Sequence, residues 1–242
     1  MRVPPEYVSV SLEMFYHNKK QSDIRNYLAQ RYGYMPHKVV IGQWIHKFTE
    51  RANQIFGIYI PDVGDTWIIS EILCNLAGKK YRIYDIVDIQ TRFLLSTQIS
   101  LIRSGLIIEK LMEEAEKKAG KSPARLAAFV NYTCFDKIQK IIRYPIDHII
   151  NQPQELKYNV ELIDCCLRNC DRRQTIIGTT RSVNGVNILL DGWNIFYNFF
   201  QRQNALSNKT PAETAGIDYP IKSWQDFIIR DSKFPPEINE SD

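Results

Sequence analysis

Between residues 66 and 120 the spacing of apolar side chains changes once from period two to the helical period, and this limits the fold more than any other feature. Thr66–Leu73, Tyr81–Val87 and Phe93–Ile99 are short runs rich in Ile, Tyr, Val and Phe. They are separated by Asn75–Lys80 and Asp88–Arg92, stretches with the residues that turns favour. Such a series predicts an antiparallel three-stranded meander. A strong helix pattern follows over Arg103–Ala119 and is ended by Gly120. Beyond it the sequence predicts a strand at Leu126–Val130, a helix from about Cys134 to Ile142, a short strand at Asp147–Ile150, and long helices over Asn159–Arg172 and Val183–Phe200. Three antiparallel strands followed by alternating helices and strands give a mixed α/β layer fold.

The first sixty residues read differently. Val8–His17, Ser22–Tyr32 and His37–Phe56 form a run of helices, with Ser22 placed as an N-cap and Gly33 as a stop. The third helix puts Ile41, Trp44, Ile45 and Phe48 on one face and turns Lys38, Gln43, His46 and Lys47 outward. Two amphipathic helices joined by a short turn, the second with a basic outer face, describe a helix-turn-helix. The charge agrees with that reading. The chain of 242 residues carries a formal +4, and residues 1–60 hold eight Lys/Arg against four acids, so the whole excess lies in this quarter. A basic segment ahead of a neutral body suggests a polyanion-binding module. The turn residues of Ile58–Asp65 mark the boundary, giving a helix-turn-helix domain at 1–57, a core at 65–217 and a C-terminal tail at 218–242.

Several function classes are excluded at this stage. With 44% hydrophobic and 24% charged residues the chain is a folded globular one. No apolar run reaches the roughly 18 residues of a membrane span, and Met1–Pro5 does not open a signal segment. A cytoplasmic protein with no membrane contact is expected. The five cysteines suit a reducing compartment, and neither they nor the four histidines have the ligand spacing of a zinc site. No cofactor is called for.

Specific wording sits at the C-terminal end. Leu190–Asp191–Gly192–Trp193–Asn194–Ile195–Phe196–Tyr197–Asn198–Phe199–Phe200 is followed by Asn204–Ala205–Leu206 and by Thr210–Pro211–Ala212–Glu213–Thr214–Ala215–Gly216–Ile217. These blocks are similar to the Tyr-Asn-Phe and Thr-Pro-Ala-Glu-x-Ala-Gly signatures of DDE transposases. Gly78–Lys79–Lys80–Tyr81, Asp88 and Thr91–Arg92–Phe93 are similar to the hairpin between strands two and three of that family. From about residue 10 to 217 the chain resembles the IS6/IS240-like insertion-sequence transposases, particularly the archaeal ones. The resemblance implies a helix-turn-helix in front of an RNase H-like, retroviral-integrase-type catalytic core, in which three carboxylates hold two magnesium ions for phosphodiester hydrolysis and strand transfer.

Placed residue by residue, the implied triad falls on Ser70, Asn131 and Asp164. Two of the three positions carry no carboxylate, and Asp164 is shorter than the glutamate of the family. The neighbouring Glu71 is one residue along the strand from Ser70 and is expected to face the other way. Gln201–Arg202–Gln203 stands where the family tends to have Arg-Pro-His. The resemblance therefore implies a catalytically degenerate, domesticated transposase: a DNA-binding protein, not an enzyme, without a metal site. Lys38, Gln43, His46 and Lys47 are the candidates for base or phosphate contact, and Arg25, Arg31 and Arg51 for the DNA backbone. Arg168, Arg172 and Arg173 would line a second DNA track. The expected partners are double-stranded DNA, a second copy of the chain in a homodimer, and chromatin-associated proteins at the nucleoid or chromosome. The expected roles are chromatin organisation, silencing or transcription regulation. Two alternatives stand beside this reading: an active DDE-type nuclease with an atypical metal site, and a protein-interaction scaffold that does not touch DNA.

Overall fold

A two-residue turn starts the sheet. Ala77 and Gly78 both take positive φ, 49° and 78°, which matches the hairpin turn that keeps the right-handed twist of its strands. It joins β1 (Thr66–Leu76) to β2 (Lys79–Asp88), with Leu76 opposite Lys79 and Trp67 opposite Asp88. The next connection is held by Asp88, whose Oδ2 accepts from both the backbone N–H of Thr91, at 2.7 Å, and its hydroxyl, at 2.6 Å. The chain then returns as β3 (Leu94–Ser100), antiparallel to β2. The expected meander is present.

The structure, a computed structural model, describes residues 3–102, 104–129, 136, 138–140, 142, 145–148, 173, 176–180 and 182–233. After β3, helix α4 (Gly105–Ala119) ends at Gly120 with φ 67°. β4 (Arg125–Phe129) and β5 (Ile146–His148) then add to the far edge in parallel, so the order is β3-β2-β1-β4-β5. Three antiparallel strands followed by two parallel ones make an RNase H-like sheet. The helices expected at about 134–142 and at 159–172 lie largely or wholly outside the described residues.

Both faces of the sheet are covered. Ile72, Cys74, Ile83 and Ile99 pack under Ile177, Val186 and Leu190, the last two from α5 (Val183–Ile195). On the other face the Ser96 hydroxyl donates to the Leu111 carbonyl of α4 at 2.8 Å. Helix α5 runs on into a wider turn over Phe196–Phe200, where the Asn198 amide faces the start of β3. Its Oδ1 accepts from Leu94 N–H and its Nδ2 donates to Leu94 C=O, both at 2.9 Å, so one side chain completes the pairing of an edge strand.

The first three helices are α1 (Pro5–Tyr16), α2 (Gln21–Tyr32) and α3 (Lys38–Phe56). Lys20, not Ser22, caps α2: Asp23 reaches back to its backbone N–H, and Ser22 lies inside the first turn. Gly33 ends the helix with φ 65° as expected. On α3 the buried face is Ile41, Ile45, Phe48, Thr49, Ala52 and Phe56, packed against α5. Each large apolar side chain of that face is worth roughly 1.5–3 kcal/mol on leaving water, before conformational entropy. These helices and the sheet layer belong to one continuous apolar core. The boundary drawn at 57–65 is thus a change of element type and not a gap in packing.

The C-terminal segment is also part of that core. Pro211–Thr214 forms the short α6 with Pro at its first turn and a capping box between Thr210 and Glu213. Trp224–Lys233 forms α7, on which Trp224, Phe227 and Ile228 are buried, and α7 packs on α1. The expected tail at 218–242 is therefore folded up to Lys233; residues 234–242 lie outside the described residues.

Candidate functional site

The strand period places Ser70 on the face of β1 that also carries Ile68 and Ile72, under α5. Its register partner on β2 is Asp85, and the partner of Asp85 on β3 is Thr97. On the other side Ser70 is abreast of Phe129, the last residue of β4, two residues before Asn131. Ser70, Asp85 and Thr97 thus form one row across the sheet. Glu71 points to the opposite face, where the Tyr84 hydroxyl donates to it at 3.1 Å and Arg82 pairs with it at 3.1 Å. It does not substitute for a carboxylate at Ser70.

A cation sits on this row. The Arg173 guanidinium donates to Asp85 Oδ2 in an ion pair whose side chains are 4% and 3% exposed, and Thr97 donates to Asp85 Oδ1 at 2.7 Å. The guanidinium also lies 5.8 Å from the Trp193 ring. Ser70 Oγ and Arg173 Nε are buried with no hydrogen-bond partner among the described residues. Arg173, expected along a DNA track, is buried inside the core because Asp85 and Trp193 give its charge an internal partner. A guanidinium is permanently charged and occupies the one carboxylate of the row, while Ser70 offers a neutral hydroxyl. This set does not fit a pair of magnesium ions, which need several anionic oxygens. Asn131, Asp164, Arg168 and Arg172 lie outside the described residues.

The N-terminal candidates separate by exposure. Lys38, Gln43 and Lys47 are exposed along α3, and Arg31 is exposed at the end of α2. Arg25 is half-buried, with its Nε unpartnered among the described residues. Arg51, expected on the DNA backbone, instead pairs with Asp231 of α7 at 2.6 Å. It lies on the flank of α3 that faces the C-terminal helix, which the sequence pattern of α3 alone does not reveal. His46 is half-buried and shares with Gln43 the wall of a groove of about 420 Å³ that is closed by Thr179, Thr180 and Leu189.

Where α3 ends, α4, α5 and β3 meet around a cavity of about 200 Å³. Lys118 Nζ donates to the carbonyls of Phe56 at 3.3 Å and Gly57 at 3.1 Å, the unsatisfied end of α3. Burial lowers its pKa to about 8. Asp191 accepts from Asn53 at 3.3 Å, and burial, with the Glu114 carboxylate nearby, raises its pKa to about 6. The sequence shows Asp191 only as part of a signature block; its titration is set by burial and by Glu114 of α4, neither of which the local sequence reveals.

No known family model matches the chain, and no curated protein matches it. Among solved structures it is similar to the catalytic core domain of HTLV-2 integrase in complex with magnesium (trimeric form), at 15% identity, over 64% of this chain and 97% of that one, with a TM-score of 0.45. It is also similar to the catalytic core domain of BIV integrase, at 14% identity, over 63% and 93% of the two chains, with a TM-score of 0.46. A third similarity is to the simian T-cell lymphotropic virus intasome in complex with the PP2A regulatory subunit B56 gamma, at 11% identity, over 66% and 58%, with a TM-score of 0.44. Among the described residues no helix is long and apolar enough to cross a membrane.

Proposed function

We propose that this chain is a DNA-binding protein derived from an insertion-sequence DDE transposase, and that it has lost metal-dependent strand transfer. The observation that carries the proposal is the Arg173–Asp85 pair in the row of Ser70. A transposase core needs negative charge there to hold cations. This core holds a neutral hydroxyl and a carboxylate already matched by a fixed guanidinium. What remains for such a protein to offer DNA is its own cations, chiefly Arg31, Lys38 and Lys47 on the exposed sides of α2 and α3, with Gln43 as a candidate base reader. Phosphate neutralisation by lysine and arginine needs no metal. A homodimer would present two copies of α3 to paired half-sites, which suits organisation of the chromosome, silencing or regulation of transcription.

The test is duplex binding over a salt series in the presence of Mg²⁺, with products run on a denaturing gel. Affinity should fall steeply with salt, by roughly one power of the salt concentration per phosphate contacted, and every strand should stay intact. Lys38→Glu together with Lys47→Glu should weaken binding to random and selected sequences alike. Cut strands would overturn the loss of catalysis, and an absence of binding at low salt would overturn the DNA reading.

A further inference from the structure

The corner between α2 and α3 gathers five aromatic rings, of which Tyr7, Tyr32 and Trp44 pack partly against the core. The rings run in continuous contact. Tyr27 meets Tyr32 edge-on at 6.4 Å, Tyr32 lies 4.6 Å from Tyr7, Tyr7 stacks on Tyr34 at 5.3 Å, and Tyr34 stacks toward Trp44 at 6.4 Å. None of the five is fully buried, and Tyr27 is 40% exposed. The same corner exposes Met35 and Val39, at 57% and 59%. The other three tryptophans, Trp67, Trp193 and Trp224, are 0% exposed each.

Charge narrows what such a surface can hold. Arg31 and Lys38 are close in sequence to Tyr32 and Tyr34, both are exposed, and neither side chain makes a hydrogen bond or ion pair among the described residues. Among the described residues the carboxylate hydrogen-bonded to the ladder is Glu6, which accepts from the Tyr32 hydroxyl at 2.9 Å. Rings alternating with unpaired cations match a ligand that alternates flat apolar faces with phosphates. A duplex hides the faces of its bases; a single strand does not.

We propose that this corner is a platform for unpaired nucleobases, so that the protein holds single-stranded DNA there, using two of the cations, Arg31 and Lys38, that a duplex would otherwise meet. The proposal rests on the DNA-binding reading above. Bases would stack on the outer rings, Tyr27 at one end and Trp44 at the other, while Arg31 and Lys38 take the neighbouring phosphates. Stacking on aromatic faces is sequence-tolerant, so a thymidine homopolymer is an adequate probe.

The experiment uses the full chain and its tryptophan emission. Three of the four tryptophans are fully buried, so a ligand that quenches on contact reads Trp44. Single-stranded oligothymidine should quench saturably at low salt. Tyr27→Ala should weaken the single strand about fivefold or more, Tyr27→Phe should restore it, and neither should change duplex affinity measured by anisotropy. Duplex binding without any quenching by the single strand would overturn the platform and leave the DNA reading standing. Failure of both strands to bind would bring down both. Emission that changes with protein concentration alone would make the corner a contact between copies of the chain, and would also overturn the proposal.

Discussion

Gly192 on α5 lies directly beneath the ring of Tyr16 on α1, so closely that a methyl group there would overlap the phenolic oxygen. The same hydroxyl is 2.6 Å from Thr49 Oγ1 of α3, and burial raises its pKa. Three helices therefore meet at one hydrogen-bonded contact. Gly192→Ala should force the helices apart and cost about 1–3 kcal/mol, an overpacking effect. Tyr16→Phe should cost about 1 kcal/mol through the orphaned threonine. Urea unfolding of both variants checks this, and an unchanged midpoint for Gly192→Ala would show that α1 does not rest on α5.

The Arg173–Asp85 pair should behave as a unit. Removing one partner leaves a buried charge unmatched, which costs about 3–5 kcal/mol, whereas replacing both with apolar groups is often close to neutral. Arg173→Met and Asp85→Leu should each lower the melting temperature strongly, and the double variant should recover most of the loss. Strict additivity of the two single effects would mean that the ion pair is not the dominant contact of either residue.

Ser70→Asp tests the same site from the metal side. Alone, the new carboxylate falls beside Asp85 and within reach of the same guanidinium, so millimolar Mn²⁺ should leave the melting temperature unchanged. With Arg173→Gln added, two carboxylates lose their internal cation, and Mn²⁺ should then raise the melting temperature through binding to the folded state. A metal-dependent shift in Ser70→Asp alone would show that Arg173 does not guard the row.

Asp191 gives the chain a pH dependence of known sign. Its folded pKa, about 6, is above the ordinary 3.8 because burial and Glu114 disfavour the charged form. The stability linked to its proton is therefore complete below about pH 4 and is lost as pH rises through about 6. Asp191→Asn should remove that loss and make the protein more stable than wild type at pH 7, by up to about 3 kcal/mol. Parallel melting curves at pH 5 and pH 7 decide it: a difference between wild type and variant that does not grow with pH would exclude Asp191 as the titrating group.

The fold was largely readable because its signals are local. Alternation gave β1 to β3, periodicity gave α3 and α4, and glycines at positions 33 and 120 gave the stops. The signature blocks were readable as wording but not as structure. Asn198 is there to complete the edge of β3, and Thr210 with Glu213 to cap α6. The C-terminal segment was less readable because amphipathic helices do not announce what they will pack against; α7 joins the core through Trp224 stacking on Tyr16 at 5.0 Å. The site was readable only in part. The facing of Ser70 and the opposite facing of Glu71 follow from strand period. The destination of Arg173 does not, since a basic residue on a predicted helix looks the same whether it meets phosphate or a carboxylate 88 positions away. Arg51 and Asp231 repeat the lesson.

The shared core has a consequence for how such a chain can be inherited and dissected. Its third helix hides Ile41, Ile45, Phe48 and Phe56 against elements encoded more than a hundred codons later. A gene fragment ending near codon 57 would yield a peptide with that stripe bare, exposed to proteolysis and aggregation instead of available as a portable reader. A piece that keeps these helices with the partners they pack on runs to about Lys233.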